Sequence, residues 1–205
     1  MPSNKESLID VIAVAFERFG ELRVFVQSWL NQTETNWRLT VIHDGPNDEF
    51  VSIMNKYKER SPTQIYFHQT ISRFNDYGHS LREIGLNLAE GDYVLLTNAD
   101  NYFIPKAIEF LNAEITKHQP DVVMYNMIHS HDQNWGPAYS LLDTQYAPGH
   151  IDVSAAIVKT SLAKAVGFRD KSFNGDATYF ADIANHMGPA MLNVVKIKRV
   201  LFVHN

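Results

Sequence analysis

Apolar runs of strand length alternate with stretches of helical period along most of the chain, and this alternation confines it to an α/β domain with a mainly parallel sheet. Leu8–Phe16 is the first run. Leu22, Phe25, Val26 and Trp29 then recur at i, i+3, i+4 and i+7, which predicts a helix over Glu21–Leu30 packed on that strand. Trp37–His43 reads as a second strand, halted by the turn residues Asp44-Gly45-Pro46-Asn47-Asp48, with a helix expected over Glu49–Glu59. Gln64–His68 reads as a short third strand. The helix after it is marked by Leu81, Ile84, Gly85 and Leu88 and ends at Gly91. Asp92–Thr97 is apolar through its middle, as a central strand covered on both faces must be.

Pro105 suits the first turn of a helix, where a missing N–H is harmless, and Ile104, Ile108, Leu111 and Ile115 supply that helix's stripe. Val122–Ile128 is the next strand. From His129 to about Ile151 the pattern is broken by Gly136, Pro137, Pro148 and Gly149, which predicts a long loop or short antiparallel strands. A strand over Ile151–Val158, helices over Ser161–Val166 and Thr178–His186, and a closing strand over Val194–His204 follow. With 205 residues and no repeat, linker or low-complexity tract, residues 1–205 read as one domain.

The chain has no cysteine, which excludes disulfides, thiolate metal sites and cysteine nucleophiles and leaves His and carboxylates as the metal ligands. Lys plus Arg number 18 against 23 Asp plus Glu, a net charge of −5, and no basic stretch is long enough to follow a phosphate backbone, so nucleic acid is not an expected partner. Met1–Asp10 carries no apolar run, and no segment reaches the ~20 apolar residues of a membrane span. The expectation is a soluble, cytoplasmic protein.

Ligands of open α/β sheets bind outside the carboxyl ends of the strands. Phe16-Glu17-Arg18, Asp44-Gly45 and Asn98-Ala99-Asp100 stand at three such ends and converge on one rim if the strands are parallel. Taken singly, Asp44 also suits a turn and Asp100 a helix cap.

The segment Val11–Asp48, from its strand through Phe16-Glu17-Arg18 and Ser28-Trp29-Leu30-Asn31-Gln32-Thr33 to Ile42-His43-Asp44-Gly45, resembles the opening of the family 2 glycosyltransferases. So does Gly78–Asn101, where Ala89-Glu90-Gly91-Asp92 leads through an apolar strand to Asn98-Ala99-Asp100-Asn101. The resemblance covers about two thirds of the chain. It implies a Rossmann-like GT-A fold with helices on both faces, a donor half over about 1–101 and an acceptor half over about 102–205. The implied activity moves a sugar from a nucleotide-diphosphate donor, a UDP-sugar being favoured, to a glycan or other hydroxyl acceptor. The same resemblance implies that Ala15, Phe16, Glu17, Asp44, Asn98 and Asp100 contact the nucleotide sugar, with Arg82 reaching the diphosphate.

Members of that family usually carry Asn at Glu17 and Asp at Asn98 and Asn101, so only Asp100 keeps a carboxylate here. One can suffice, because Mn2+ or Mg2+ bound with a diphosphate keeps several water ligands. His204 resembles the histidine that completes such a metal site, although a residue so near Asn205 could also be frayed. Phe168-Arg169-Asp170 followed by Asn174-Gly175-Asp176 is similar to the passage whose last acid is the catalytic base of an inverting transfer. Asp176 takes that place, with Gly175 where a first acid usually stands, and the plain alternative is a helix N-cap.

Other patterns carry less. His129-Ser130-His131-Asp132 invites a zinc reading but has no companion cluster. Trp135, Tyr139 and Tyr146 form a possible sugar-stacking platform. A dinucleotide-dependent oxidoreductase needs a glycine-rich turn after the first strand, and Ala15-Phe16-Glu17-Arg18-Phe19-Gly20 holds one glycine. The remaining alternative is a non-catalytic nucleotide-sugar or glycan-binding module that has lost carboxylates at Asn98, Asn101 and Gly175.

Overall fold

The computed structural model describes residues 7–130 and 137–205. The amino-terminal half is built from β1 (Ile9–Ala15), α1 (Phe19–Leu30), β2 (Trp37–His43), α2 (Asp48–Arg60), β3 (Ile65–Gln69), α3 (His79–Leu88) and β4 (Tyr93–Asn98). There follow β5 (Tyr102–Phe103), α4 (Ala107–His118), β6 (Val122–His129), β7 (Ser140–Leu142), a 3₁₀ turn (Val153–Ala155), β8 (Ala156–Lys159), α5 (Thr160–Val166), α6 (Gly175–Met187) and β9 (Val194–His204). All strands join one sheet in the order β3-β2-β1-β4-β8-β6-β9-β5, with β7 paired to β6.

The sheet is mixed and mostly parallel. β1, β2, β3 and β4 are mutually parallel, β6 is parallel to β9, and the short β8 runs antiparallel between β4 and β6. β1, β2 and β4 are buried almost without interruption, so both faces of the sheet centre are covered, as their continuous apolar sequences predict. On one side α3 comes so close to β1 that a Cβ at Gly85 would stand 2.0 Å from Ile12 Cγ2. Elsewhere Phe25, Trp29, Phe103 and Phe202 interlock, the Trp29 and Phe103 ring centroids being 4.8 Å apart.

At the amino ends of the central strands a buried ion pair fastens three segments. Asp10 takes two hydrogen bonds from the Arg38 guanidinium, at 2.7 and 2.9 Å, and one each from the N–H groups of Glu90 and Gly91, both at 2.6 Å. One donor on Oδ1 and three on Oδ2 thereby compensate the carboxylate, which makes its burial tolerable.

Three elements differ from the sequence expectation. The strand expected over Ile151–Val158 begins only at Ala156, because the Asp152 side chain accepts the Ser154 N–H and winds Val153–Ala155 into the 3₁₀ turn. Pro105 precedes α4 rather than opening it, since Tyr102 and Phe103 pair with β9 and the Ile104 N–H donates to Leu201 O. That two-residue edge strand, β5, has no period to betray it. The broken stretch before Ile151 holds the short antiparallel β7, one of the two forms expected there.

Candidate active site

Parallel pairing brings the three polar strand ends together. Ala15 lies opposite His43 and Val14 opposite Asn98, and the pairing continues beyond the strands through Asp44 N–H to Ala15 O and Ala99 N–H to Val14 O. A cavity of about 450 Å³ opens there, lined by Ala15, Phe16, Glu17, Asp44, Asn98 and Asp100. Arg18, Arg73 and Tyr77 complete much of its wall.

Asp44 is buried and holds the loop after β3 over the cavity. Its Oδ1 accepts the Phe74 N–H at 2.7 Å and its Oδ2 the Asn75 N–H at 3.0 Å. Arg73, from the same loop, stands 3.7 Å from Asp44 Oδ2 and lays its guanidinium 3.6 Å above the Phe16 ring centroid. Arg73 lies in a polar stretch without periodicity, which is why the sequence alone does not single it out.

Glu17 and Arg18 both adopt left-handed backbone, with φ of +53° and +50°. Asn is the side chain that best tolerates that region, so the Asn usual at position 17 in family 2 has a backbone reason, and Glu17 carries strain of about 1 kcal/mol. This turn delivers Arg18 Nη1 to Asp100 Oδ2 at 2.7 Å.

Asp100 Oδ1 is shielded from solvent with no hydrogen-bond partner, and so is His204 Nδ1. His204 is not frayed. It sits in β9 opposite His129, stacked on that ring with centroids 4.5 Å apart, and its Nε2 lies 3.8 Å from Asp152 Oδ2. The adjoining Asn205 N–H reaches Asn101 Oδ1 at 3.4 Å, which draws the end of β9 toward the segment carrying Asp100. Among the described residues no three His, Asp or Glu side chains form a metal cluster. Asp100 and His204 each keep one unsatisfied atom, and two such side chains could hold Mn2+ or Mg2+ only jointly with a diphosphate and water.

The two asparagines of the acidic passage have structural work. Asn101 is fully buried and donates to Thr97 Oγ1 and Ser154 Oγ, each at 3.1 Å, in a place where a charge would be costly. Asn98 Oδ1 accepts Arg82 Nη2 at 2.6 Å. Arg82 is buried, unlike most helix-surface arginines. It does not line the cavity but lies behind Asn98, donating through Nη1 to Tyr77 O at 2.8 Å and to His79 Nδ1 at 3.0 Å. His79 must then donate from Nε2 to Ser172 O, at 2.9 Å, as a neutral ring. Burial, with the Arg82 charge second, pushes its pKa down to about 4.

Asp176 is the second residue of α6, and the cap position belongs to Asn174, so a capping role is not what it performs. Its Oδ2 accepts the Val153 N–H at 3.2 Å, while Oδ1 is shielded and unpartnered. Burial raises its pKa to about 6, against the pull of Arg82; Asp152 adds to the rise, and the Val153 N–H and His204 oppose it. Asp152 was hidden by the strand expected over Ile151–Val158, although Asp-x-Ser at 152–154 is the signature of a capped turn. Gly175 packs on the His79 imidazole too closely for any side chain.

Of the aromatic residues expected to form a sugar-stacking platform, Tyr139 and Tyr146 have other partners. Tyr146 donates its hydroxyl to Phe180 O at 2.7 Å and packs locally, and exposed Tyr139 bonds Asn205. Trp135, and His131 and Asp132 of the zinc reading, lie outside the described residues. Among the described residues no helix is long and apolar enough to cross a membrane.

Residues 10–182 match the family model for glycosyl transferase family 2. The chain belongs to that family. It is 26% identical over 148 residues to glycosyltransferase GlyA of Streptococcus pneumoniae, covering 71% of this chain and 20% of that protein. It is 28% identical over 123 residues to the uncharacterized glycosyltransferase YibD of Escherichia coli, covering 60% and 35%. The chain thus spans a fifth to about a third of the length of these two relatives. Among solved structures, S. aureus TarS 1–349 superposes with a TM-score of 0.78 at 16% identity, covering 97% of this chain and 60% of that one. The mannosyltransferase PcManGT of Pyrobaculum calidifontis, in complex with GDP-Man and Mn2+, superposes at 0.72 and 15% identity, covering 98% and 57%. The fold is GT-A.

Proposed function

We propose that this chain transfers a sugar from a nucleotide-diphosphate donor, a UDP-sugar being favoured, to a hydroxyl of a glycan or other acceptor, with inversion. The observation that carries the reading is the convergence of Phe16, Asp44, Asn98 and Asp100 around one cavity at the carboxyl ends of parallel strands, with the buried acid Asp176 within electrostatic reach of Arg82, which bonds Asn98 on the cavity wall. The description of another TarS 1–349 structure as a complex with UDP-GlcNAc supports a nucleotide-sugar ligand.

In this reading the Phe16 ring, Arg73 and the remaining lone pairs of Asp44 hold the nucleoside, and Asn98, whose amide nitrogen is uncommitted among the described residues, meets a ribose hydroxyl. Asp100 and His204 would hold Mn2+ or Mg2+, which supplies charge neutralisation to the departing diphosphate. Arg82 adds a buried positive charge behind Asn98, with no carboxylate among the described residues at ion-pair distance. Asp176 takes the proton of the acceptor hydroxyl as its oxygen bonds the anomeric carbon and the bond to the diphosphate breaks. A pKa near 6 makes this carboxylate a stronger base than an ordinary Asp while leaving it mostly ionised at neutral pH. The structural duties of Asn98, Asn101 and Gly175 give their departures a packing reason that does not require lost turnover.

A thermal-shift screen of UDP, GDP, CDP and dTDP with and without Mn2+, followed by assay of nucleoside diphosphate release from the matching sugar nucleotides, tests the reading. Stabilisation by one nucleotide, strengthened by Mn2+, is expected. No shift with any of them overturns it.

A further inference from the structure

We propose that Tyr77 and Phe173 form a carbohydrate subsite that stacks a pyranose ring of the acceptor beside the donor cavity, an inference that rests on the transferase reading and extends it. Their rings meet edge to face, with centroids 5.8 Å apart and planes at 76°. Both are large aromatic side chains left open to water, Tyr77 at 65% and Phe173 at 77% exposure. A single exposed aromatic means little, but two from segments 96 positions apart in sequence, meeting at a nearly right-angled corner with Tyr77 also 6.0 Å from the His79 ring, leave much aromatic surface open at one place.

The backbone beneath each ring is fixed. Tyr77 has a φ of +60°, a costly conformation for an aromatic residue, and its carbonyl accepts Arg82 Nη1 at 2.8 Å. The Phe173 loop is pinned by His79 Nε2 donating to Ser172 O at 2.9 Å and by Asp170, which accepts the Ser172 N–H at 2.9 Å and the Thr178 hydroxyl at 2.6 Å. The backbone that carries the rings is thus ordered before a ligand docks, which lowers the ordering cost of binding.

Position selects the occupant. Tyr77 lines the donor cavity, Phe173 lies outside its wall, and three residues beyond Phe173 the chain reaches Asp176. A ring stacked in the corner would therefore lie on the acceptor side. The rings are flanked in sequence by Asn75, Ser172 and Asn174, which suit the hydroxyl rim of a sugar and would be poor walls for a lipid chain, while the Asp76 carboxylate is taken up by Ser80. A pyranose offers one apolar C–H face to a ring and hydroxyls around its edge, matching this combination.

Saturation-transfer NMR with the methyl β-glycosides of glucose, galactose and N-acetylglucosamine, in the presence of UDP and Mn2+, tests the subsite on the wild type, Phe173→Ala and Phe173→Trp. At least one glycoside should give signal from its axial ring protons, falling about fivefold or more in Phe173→Ala and returning in Phe173→Trp, with UDP affinity the same in all three. Signal unchanged in Phe173→Ala, or no signal from any glycoside on a protein that binds UDP, overturns the subsite alone. A wild type that binds none of the four nucleoside diphosphates overturns the transferase reading and the subsite with it.

Discussion

The imidazole of His79 occupies the space into which any side chain at Gly175 would grow. A Cβ there would stand 2.6 Å from His79 Nε2 and 2.7 Å from the backbone oxygen of Asp170. The acid missing from this position is thus excluded by packing, and Asp176 takes its place in the fold from the same contact. Gly175→Ala should cost about 1–3 kcal/mol, as overpacking does, read as a lower urea midpoint at unchanged slope. A midpoint equal to that of the wild type would show that the His79 ring yields freely.

Asp176→Asn separates stability from turnover. Because the folded-state pKa of Asp176 is raised to about 6, the native state favours the protonated form, and stability falls as pH rises from about 4 through 6. The amide removes that penalty. The variant should melt above the wild type at pH 8 and show little difference at pH 4, while sugar transfer drops roughly 10²-fold or more and nucleotide affinity stays level. Transfer near the wild-type rate would place the base elsewhere.

Asp100→Ala should abolish the gain in UDP affinity brought by Mn2+ while leaving the melting temperature within about a degree or two, because its partner Arg18 is largely in water. Calorimetric titration with Mn2+ and then with a chelator reads this directly. An undiminished Mn2+ effect would exclude Asp100 as a ligand.

Asp44→Asn leaves one carbonyl oxygen to serve two N–H groups and removes the charge facing Arg73. Hydrogen exchange at Phe74 and Asn75 should quicken, and UDP affinity without metal should fall about tenfold. Slow exchange at both amides would mean that the loop is held by other contacts.

The sequence makes the cavity legible because strand ends are marked by periodicity and turn residues, which are local signals. Phe16, Glu17, Asp44, Asn98 and Asp100 stand at such ends and line the cavity, while Ala15 is named only through the family resemblance. What it hides depends on partners distant along the chain. Arg82 is expected at the diphosphate, and only its contacts with Tyr77, His79 and Asn98 show it buried behind the cavity wall; Asp152 goes unmarked until its capped turn is seen against Asp176. Tyr146, aromatic in a loose stretch, suggests a ligand platform until the Phe180 carbonyl claims its hydroxyl.

The Asp10–Arg38 pair ties β1, β2 and the turn before β4 at the pole of the sheet farthest from the cavity. Breaking such a pair from one side costs about 3–5 kcal/mol, so a good part of the fold's tolerance to change is banked where no ligand reaches. Selection for a new sugar and selection for heat resistance would then accumulate at opposite ends of the same strands, and the two properties can be evolved in parallel with little interference.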